Sequence, residues 1–208
     1  MNRRFVVSGT DTNAGKTVFS AALAGALDAH YWKPIQSGVA PEGDKETVSR
    51  LSGLAPERIL PEHYRLNAPL SPHRSAELDG TTIDPAQLVP PEVGGPLVIE
   101  GAGGLMVPIT RQLLQIDLYA RWQLPIILVS RTTLGTINHT LLSLEALRVR
   151  KIPLHGIAFI GEENSDNMRT IAEMGEARVL GRLPHLPVLN AHSLRDAFAA
   201  HFRMEDYA

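Results

Sequence analysis

The run Gly9-Thr10-Asp11-Thr12-Asn13-Ala14-Gly15-Lys16-Thr17 constrains this chain more than any other stretch of it. It follows Phe5-Val6-Val7, a short apolar segment that ends in Ser8-Gly9 and reads as a buried strand. It opens residues 17–28, where Val18, Ala21, Ala22, Ala24, Gly25 and Leu27 recur without a proline. That pattern predicts a helix whose small-residue side packs on a sheet. In a strand–loop–helix of this kind the backbone N–H groups turn inward to cradle phosphates, and the helix N-terminus adds positive dipole. Lys16 can then reach the β and γ phosphates, and the Thr17 hydroxyl can ligate Mg²⁺. The spacing departs from the common pattern in one respect. Five residues, not four, separate Gly9 from Gly15, so Thr10 stands where the first glycine usually does. A glycine-containing turn that ends in Lys-Thr by chance is the bland alternative, and the flanking strand and helix weigh against it.

The remaining pattern alternates strands with helices. Tyr31-Trp32 leads into Lys33-Pro34 as a second strand, residues 36–43 read as a loop, and Asp44 starts a short helix through Leu51. Residues 61–95 are proline-rich, and Thr82 with Asp84-Pro85 suggests one more helix start there. Strands are predicted at Pro96–Ile99, Pro125–Val129, Gly156–Ile160 and Val179–Gly181, with helices over 114–122, Thr136–Arg148, Asn164–Met174 and Leu194–Phe202. The near-continuous apolar run Pro125–Val129 suits a strand buried on both faces. Right-handed βαβ units and a mostly parallel sheet covered by helices on both faces follow, a P-loop NTPase-like α/β class. No repeat or linker breaks the chain, so residues 1–208 are expected to form a single domain.

Composition excludes several functions. Twenty Lys and Arg against 22 Asp and Glu leave a net charge of −2, so there is no basic field for a nucleic-acid backbone. With no cysteine there are no disulfides, thiol nucleophiles or Cys-ligated metals. No apolar run approaches the ~18–20 residues that span a bilayer. The charged start Met1-Asn2-Arg3-Arg4 is followed too soon by Thr10-Asp11-Thr12-Asn13 to be a signal peptide. A soluble, cytoplasmic protein without membrane or nucleic-acid partners is the expectation.

Three further positions are candidates for chemistry. Glu100 ends the strand Leu97–Ile99, at the sheet edge where ligands of open parallel sheets bind, and is placed like an acid that holds Mg²⁺. Gly101, Gly103 and Gly104, around Ala102, let the backbone approach a ligand closely. Without such a partner, Glu100 is a solvated residue before a flexible turn. Lys33, in Lys33-Pro34-Ile35-Gln36-Ser37-Gly38, ends a strand on the same edge and would be a second cation near the phosphates; a strand-capping surface lysine is the alternative. Asp44 sits in a charged stretch where a helix N-cap is the default. Ser71-Pro72-His73 reads as a turn, and the eight histidines offer no HxH or HExxH metal spacing.

Together these elements resemble the dethiobiotin synthetase family. The resemblance rests on Gly9–Thr12 through Gly15-Lys16-Thr17, Lys33-Pro34 with Ser37-Gly38, Ser71-Pro72-His73, Glu100-Gly101-Ala102-Gly103-Gly104 and Gly135-Thr136-Ile137-Asn138-His139, in order over nearly the whole chain. It implies a homodimer with its active site at the interface. The implied reaction carboxylates 7,8-diaminononanoate with CO₂ and closes the ureido ring at the expense of ATP. A carbamate and then a carbamic-phosphoric anhydride are the implied intermediates. By the same resemblance Lys16 and Lys33 are catalytic, and Thr12, Ser37 and Asn138 bind substrate. Thr17, Asp44 and Glu100 hold Mg²⁺. Asn13, Ala14, Gly15, Lys16, Thr17, Val18, Glu100, Gly101, Ala102, Gly103 and the segment Pro184-His185-Leu186 contact the nucleotide. Asn13 stands at a loop position often acidic in the family. Gly161-Glu162-Glu163-Asn164 follows the strand Gly156–Ile160 where the family pattern has Asn directly. The competing reading is a P-loop ATPase that acts as a partner-binding switch or partitioning protein. Such proteins usually carry a further lysine early in the loop, and Thr10-Asp11 supplies none.

Overall fold

The computed structural model describes residues 3–39 and 41–208, so Met1 and Asn2 of the charged start lie outside the described residues. In chain order the first half forms β1 (Arg4–Gly9), α1 (Lys16–Leu27), β2 (His30–Trp32), β3 (Ile35–Ser37), α2 (Asp44–Ser52), β4 (Tyr64–Leu66) and α3 (Pro72–Leu78). The second half forms β5 (Leu97–Gly104), α4 (Gln115–Trp122), β6 (Ile126–Arg131), α5 (Thr136–Val149), β7 (Leu154–Ile160), α6 (Ser165–Met174), β8 (Val179–Leu183) and α7 (Ala191–His201). Two 3₁₀ turns complete it, at Pro56–Arg58 and Met204–Tyr207.

Six strands pair in the order β2-β5-β1-β6-β7-β8, all parallel. Alternation along each strand sends side chains to opposite faces. Phe5, Val7, Val98, Ile127, Val129 and Ala158 bury one face against α1 and α7. Val6, Ile99, Ile126, Leu128, Ile157 and Phe159 bury the other, under α4, α5 and α6. This is the α/β class with helices on both faces. The small residues Ala21, Ala22 and Ala24 of α1 are fully interior, so that helix lies close to the sheet and carries the glycine loop with it. Among the described residues no helix is long and apolar enough to cross a membrane.

The first half departs from expectation in three places. Residues 36–43 are not wholly loop: Ile35–Ser37 pairs in parallel with Tyr64–Leu66 as a separate two-stranded sheet. Ser71-Pro72-His73 is more than a turn, because Pro72 takes the first position of α3, where its fixed φ and missing N–H cost nothing. Conversely, no helix starts at Thr82–Pro85. The Asp84 carboxylate accepts the Ala86 N–H at 2.9 Å, closing a local turn, and Pro90-Pro91 cannot continue a helix. Leu88 is instead pinned from outside, its carbonyl accepting the Trp122 indole N–H at 2.9 Å.

Candidate active site

Strand register assembles the site. Trp32 pairs with Ile99 and Val7 with Glu100, so Lys33 and Glu100 emerge side by side where β1 turns into the glycine loop. The Lys33 ammonium lies 3.0 Å from Glu100 Oε1 and 2.6 Å from Asp44 Oδ2. Thr17 donates its hydroxyl to the same Oε1 at 2.8 Å, and Tyr31 donates its phenol to Oε2 at 2.9 Å. Glu100 is 0% and Lys33 4% exposed, so the bland readings of a solvated carboxylate and a surface lysine do not describe them. Asp44 begins α2 but does not cap it. Gly43 is the N-cap, the Asp44 N–H is taken by the Gln36 side chain at 3.1 Å, and the carboxylate faces Lys33. Gln36 carried no functional signal in the sequence; it also ties down the loop through Gly38 O at 2.9 Å.

Charge in this cluster is balanced. Burial opposes the Lys33 charge, but Glu100 and Asp44 more than offset it and hold the ammonium above its ordinary range. Burial also opposes ionisation of Asp44; Lys33 overcomes it, and the carboxyl sits below its usual value. The phenol of Tyr31 is pushed up by burial and by the Glu100 charge, so it remains a donor. Lys16, by contrast, has no full carboxylate contact. Its ammonium donates to the Asp11 carbonyl at 3.1 Å, and burial together with the like charge of Lys33 lowers it to about 8.

The Lys16 value has a defined consequence. A lysine lowered in this way by burial costs stability while it is charged below about pH 8, and that cost is relieved as pH rises toward the ordinary lysine range. An anion beside it favours the charged form. Nucleotide affinity is therefore expected to fall as pH rises from 8 to 10, and calorimetry in buffers of different ionisation enthalpy should find net proton uptake on binding at pH 9. A flat affinity across that interval would contradict the placement of Lys16 against phosphate.

Around these groups lies a cleft of about 810 Å³, lined among others by Thr12, Ser37, Ser71 and Val107. Ser37 Oγ is buried there with no hydrogen-bond partner. A second cavity of about 300 Å³ adjoins Asn13, Ala14, Gly15 and Val18 and is closed by Pro184, His185 and Leu186. Apolar Ile160, Leu183 and Leu189 complete much of its wall, the environment a nucleobase takes. The loop between the two cavities is held by residues suited to its backbone. Asn13 has φ 60, which asparagine tolerates, and Gly15 has φ 96 with the Ile160 side chain 2.9 Å from where a Cβ would stand.

Not every candidate reaches the cleft. Gly101, on β5, lies behind it; a Cβ there would meet the Tyr119 hydroxyl at 1.8 Å, so the glycine serves packing against α4. Ala102 and Gly103 do line the cleft, and they belong to a strand, not to a flexible turn. Asn138 is exposed on the first turn of α5, away from this chain's cleft. Asn164 caps α6 by accepting the Asn167 N–H at 3.1 Å.

The donors around Lys33 are all hard oxygens: a hydroxyl at Thr17 and carboxylates at Glu100 and Asp44. That chemistry fits Mg²⁺, which is bound by one or two carboxylates plus substrate phosphates. Among the described residues no group of three His, Cys, Asp or Glu forms a self-contained metal site, as a nucleotide-completed ion requires none.

Comparison with known proteins points the same way. A protein-family model described as an AAA domain matches residues 3–193. The ATP-dependent dethiobiotin synthetase BioD of Agrobacterium fabrum (strain C58) is 61% identical over 207 residues, covering 100% of this chain and 98% of that protein. The protein of the same name from Novosphingobium aromaticivorans is 56% identical over 204 residues, covering 98% of each. Among solved structures, a ParA family ATPase from Chlorobium tepidum matches with a TM-score of 0.53 at 13% identity, over 96% of this chain and 98% of that one. The MinC:MinD cell division complex of Aquifex aeolicus gives 0.51 at 13% identity, over 94% and 86%. At that identity the likeness is one of fold, the P-loop NTPase fold.

Proposed function

Because the chain belongs to the ATP-dependent dethiobiotin synthetase family, we propose that it converts 7,8-diaminononanoate, CO₂ and ATP to dethiobiotin, ADP and phosphate. The observation that carries this reading is the Lys33–Glu100–Asp44–Thr17 cluster at the mouth of the phosphate loop. One amine of the substrate adds to CO₂ and loses a proton, giving a carbamate. A carbamate oxygen then attacks the γ-phosphorus, and ADP leaves. The second amine attacks the carbonyl of the resulting anhydride, phosphate departs, and the ureido ring closes.

Each anionic partner needs a fixed cation, since phosphoryl transfer depends mainly on positioning and charge stabilisation. Lys16 holds the β and γ oxygens, and Lys33 orients the carbamate toward them. Thr17, Glu100 and Asp44 would hold magnesium, which would supply positive charge against the phosphates. Thr12 and the orphan hydroxyl of Ser37 bind on the substrate side. Once the anhydride forms, ring closure is intramolecular and needs little beyond proximity. The base lies in the cavity closed by Pro184-His185-Leu186.

Two copies of the chain complete the site. Support comes from a hollow of about 440 Å³ beside Thr12 and His139, flanked by Leu142 and Met106, which are 62% and 53% exposed. Asn138, one residue before His139, then serves the partner's substrate. ADP release that requires both bicarbonate and the diamine is the expected result. ATP turnover indifferent to either would overturn the reading.

A further inference from the structure

One buried side chain touches the site beyond the proposed nucleotide, substrate and metal ligands. Tyr31 is fully interior in β2, the edge strand, and its ring lies in the core beneath α1 and α2. Its hydroxyl meets Glu100 Oε2 at 2.9 Å, while Thr17 and Lys33 both meet Oε1, at 2.8 Å and 3.0 Å. The two oxygens of one carboxylate are thus divided: one faces the cleft and one is tied inward. We propose that Tyr31 is a positioning residue that fixes the rotation of the Glu100 carboxylate, so that Oε1 is presented to magnesium at the nucleotide. This rests on the reading of Glu100 as a magnesium ligand.

A carboxylate can turn about its last torsion, which is broad and roughly two-fold. Thr17 and Lys33 alone leave Oε2 without a partner in a place from which water is excluded. A phenol on a rigid strand supplies the missing donor from a fixed direction. Partners of this kind behind metal ligands typically change metal affinity ~10–100-fold when removed. In the sequence Tyr31 carries no such signal and reads as one more apolar strand residue.

The test measures binding of a non-hydrolysable β,γ-methylene ATP analogue to the full chain by calorimetry, over a magnesium series and in EDTA. In Tyr31→Phe the magnesium concentration that gives half the gain in affinity is expected to rise about tenfold, with affinity in EDTA unchanged. A midpoint equal to that of the unaltered protein would overturn the proposal, whatever happens to thermal stability. Tyr31→Met deletes the same hydroxyl in a side chain that adapts to the core, and carries the test if the phenylalanine variant does not fold. Glu100→Gln is measured alongside. If it moves the midpoint and the Tyr31 variants do not, only the positioning role fails; if it leaves the midpoint in place, the metal reading fails and the proposal with it.

Discussion

Replacing Lys33 by alanine is expected to lower kcat about 10²–10³-fold, by analogy with the loss of a single oxyanion donor, ~3–4 kcal/mol. The same substitution is expected to destabilise the fold by about 3–5 kcal/mol, as breaking a buried ion pair does. The two effects have one cause. Lys33 is the counter-ion of a fully buried Glu100 and of Asp44, at 3.0 Å and 2.6 Å. Without it two carboxylates face each other at the phosphate loop, where the proposed reaction also brings a triphosphate and a carbamate. A surface lysine would cost little on either measure. Steady-state turnover under saturating substrates and urea unfolding check the two halves separately, and normal turnover would remove Lys33 from the chemistry.

Gly101→Ala is expected to be the most damaging single methyl in the site, costing about 3 kcal/mol or more, at or beyond the top of the usual range for overpacking. The new Cβ would stand 1.8 Å from the Tyr119 hydroxyl. That oxygen has little room to retreat, because Tyr119 is fully buried and its hydroxyl also donates to Ser8 Oγ at 3.4 Å. Displacing β5 at this point displaces Glu100, the preceding residue, so activity should fall with stability. Tyr119→Phe removes the clashing oxygen and leaves the ring carbon at 3.1 Å, a distance small shifts can absorb. Thermal unfolding of the double variant is therefore expected to recover most of the loss. A double variant as unstable as Gly101→Ala alone would place the strain elsewhere.

Much of this architecture was legible because its signals are local. The loop, the strand before it and the helix after it are contiguous, and each later strand is a short apolar run between turn residues. Lys33 was legible as a strand end, since a parallel sheet gathers its C-terminal ends on one edge; Glu100 was expected to end its strand as well, but β5 runs on to Gly104 and holds it within the strand. What stayed hidden depends on distant partners. The pairing of Ile35–Ser37 with Tyr64–Leu66 joins segments separated by the whole of α2, and three-residue strands carry almost no periodicity. Asp44 looked like an N-cap because that is what an aspartate at a helix start usually is; Gly43 takes that place, and the Asp44 carboxylate meets Lys33. Gly101 looked like a close approach to a ligand, and the close approach is real, but it is to Tyr119. The Asp84-Pro85 helix start failed because an aspartate closes a turn as readily as it caps a helix.

In the proposed reaction this cluster of cations and hard oxygens holds a CO₂-derived anion against the terminal phosphate of ATP. The fate of the CO₂ oxygens reports on that step. One carbamate oxygen becomes the bridge to phosphorus and leaves with phosphate when the ring closes, while the other remains in the ureido carbonyl. Supplying CO₂ labelled with oxygen-18, in a reaction brief enough to outrun exchange with water, should place one labelled oxygen in each phosphate released and one in each dethiobiotin. Phosphate that carries no label, formed together with labelled product, would contradict the account.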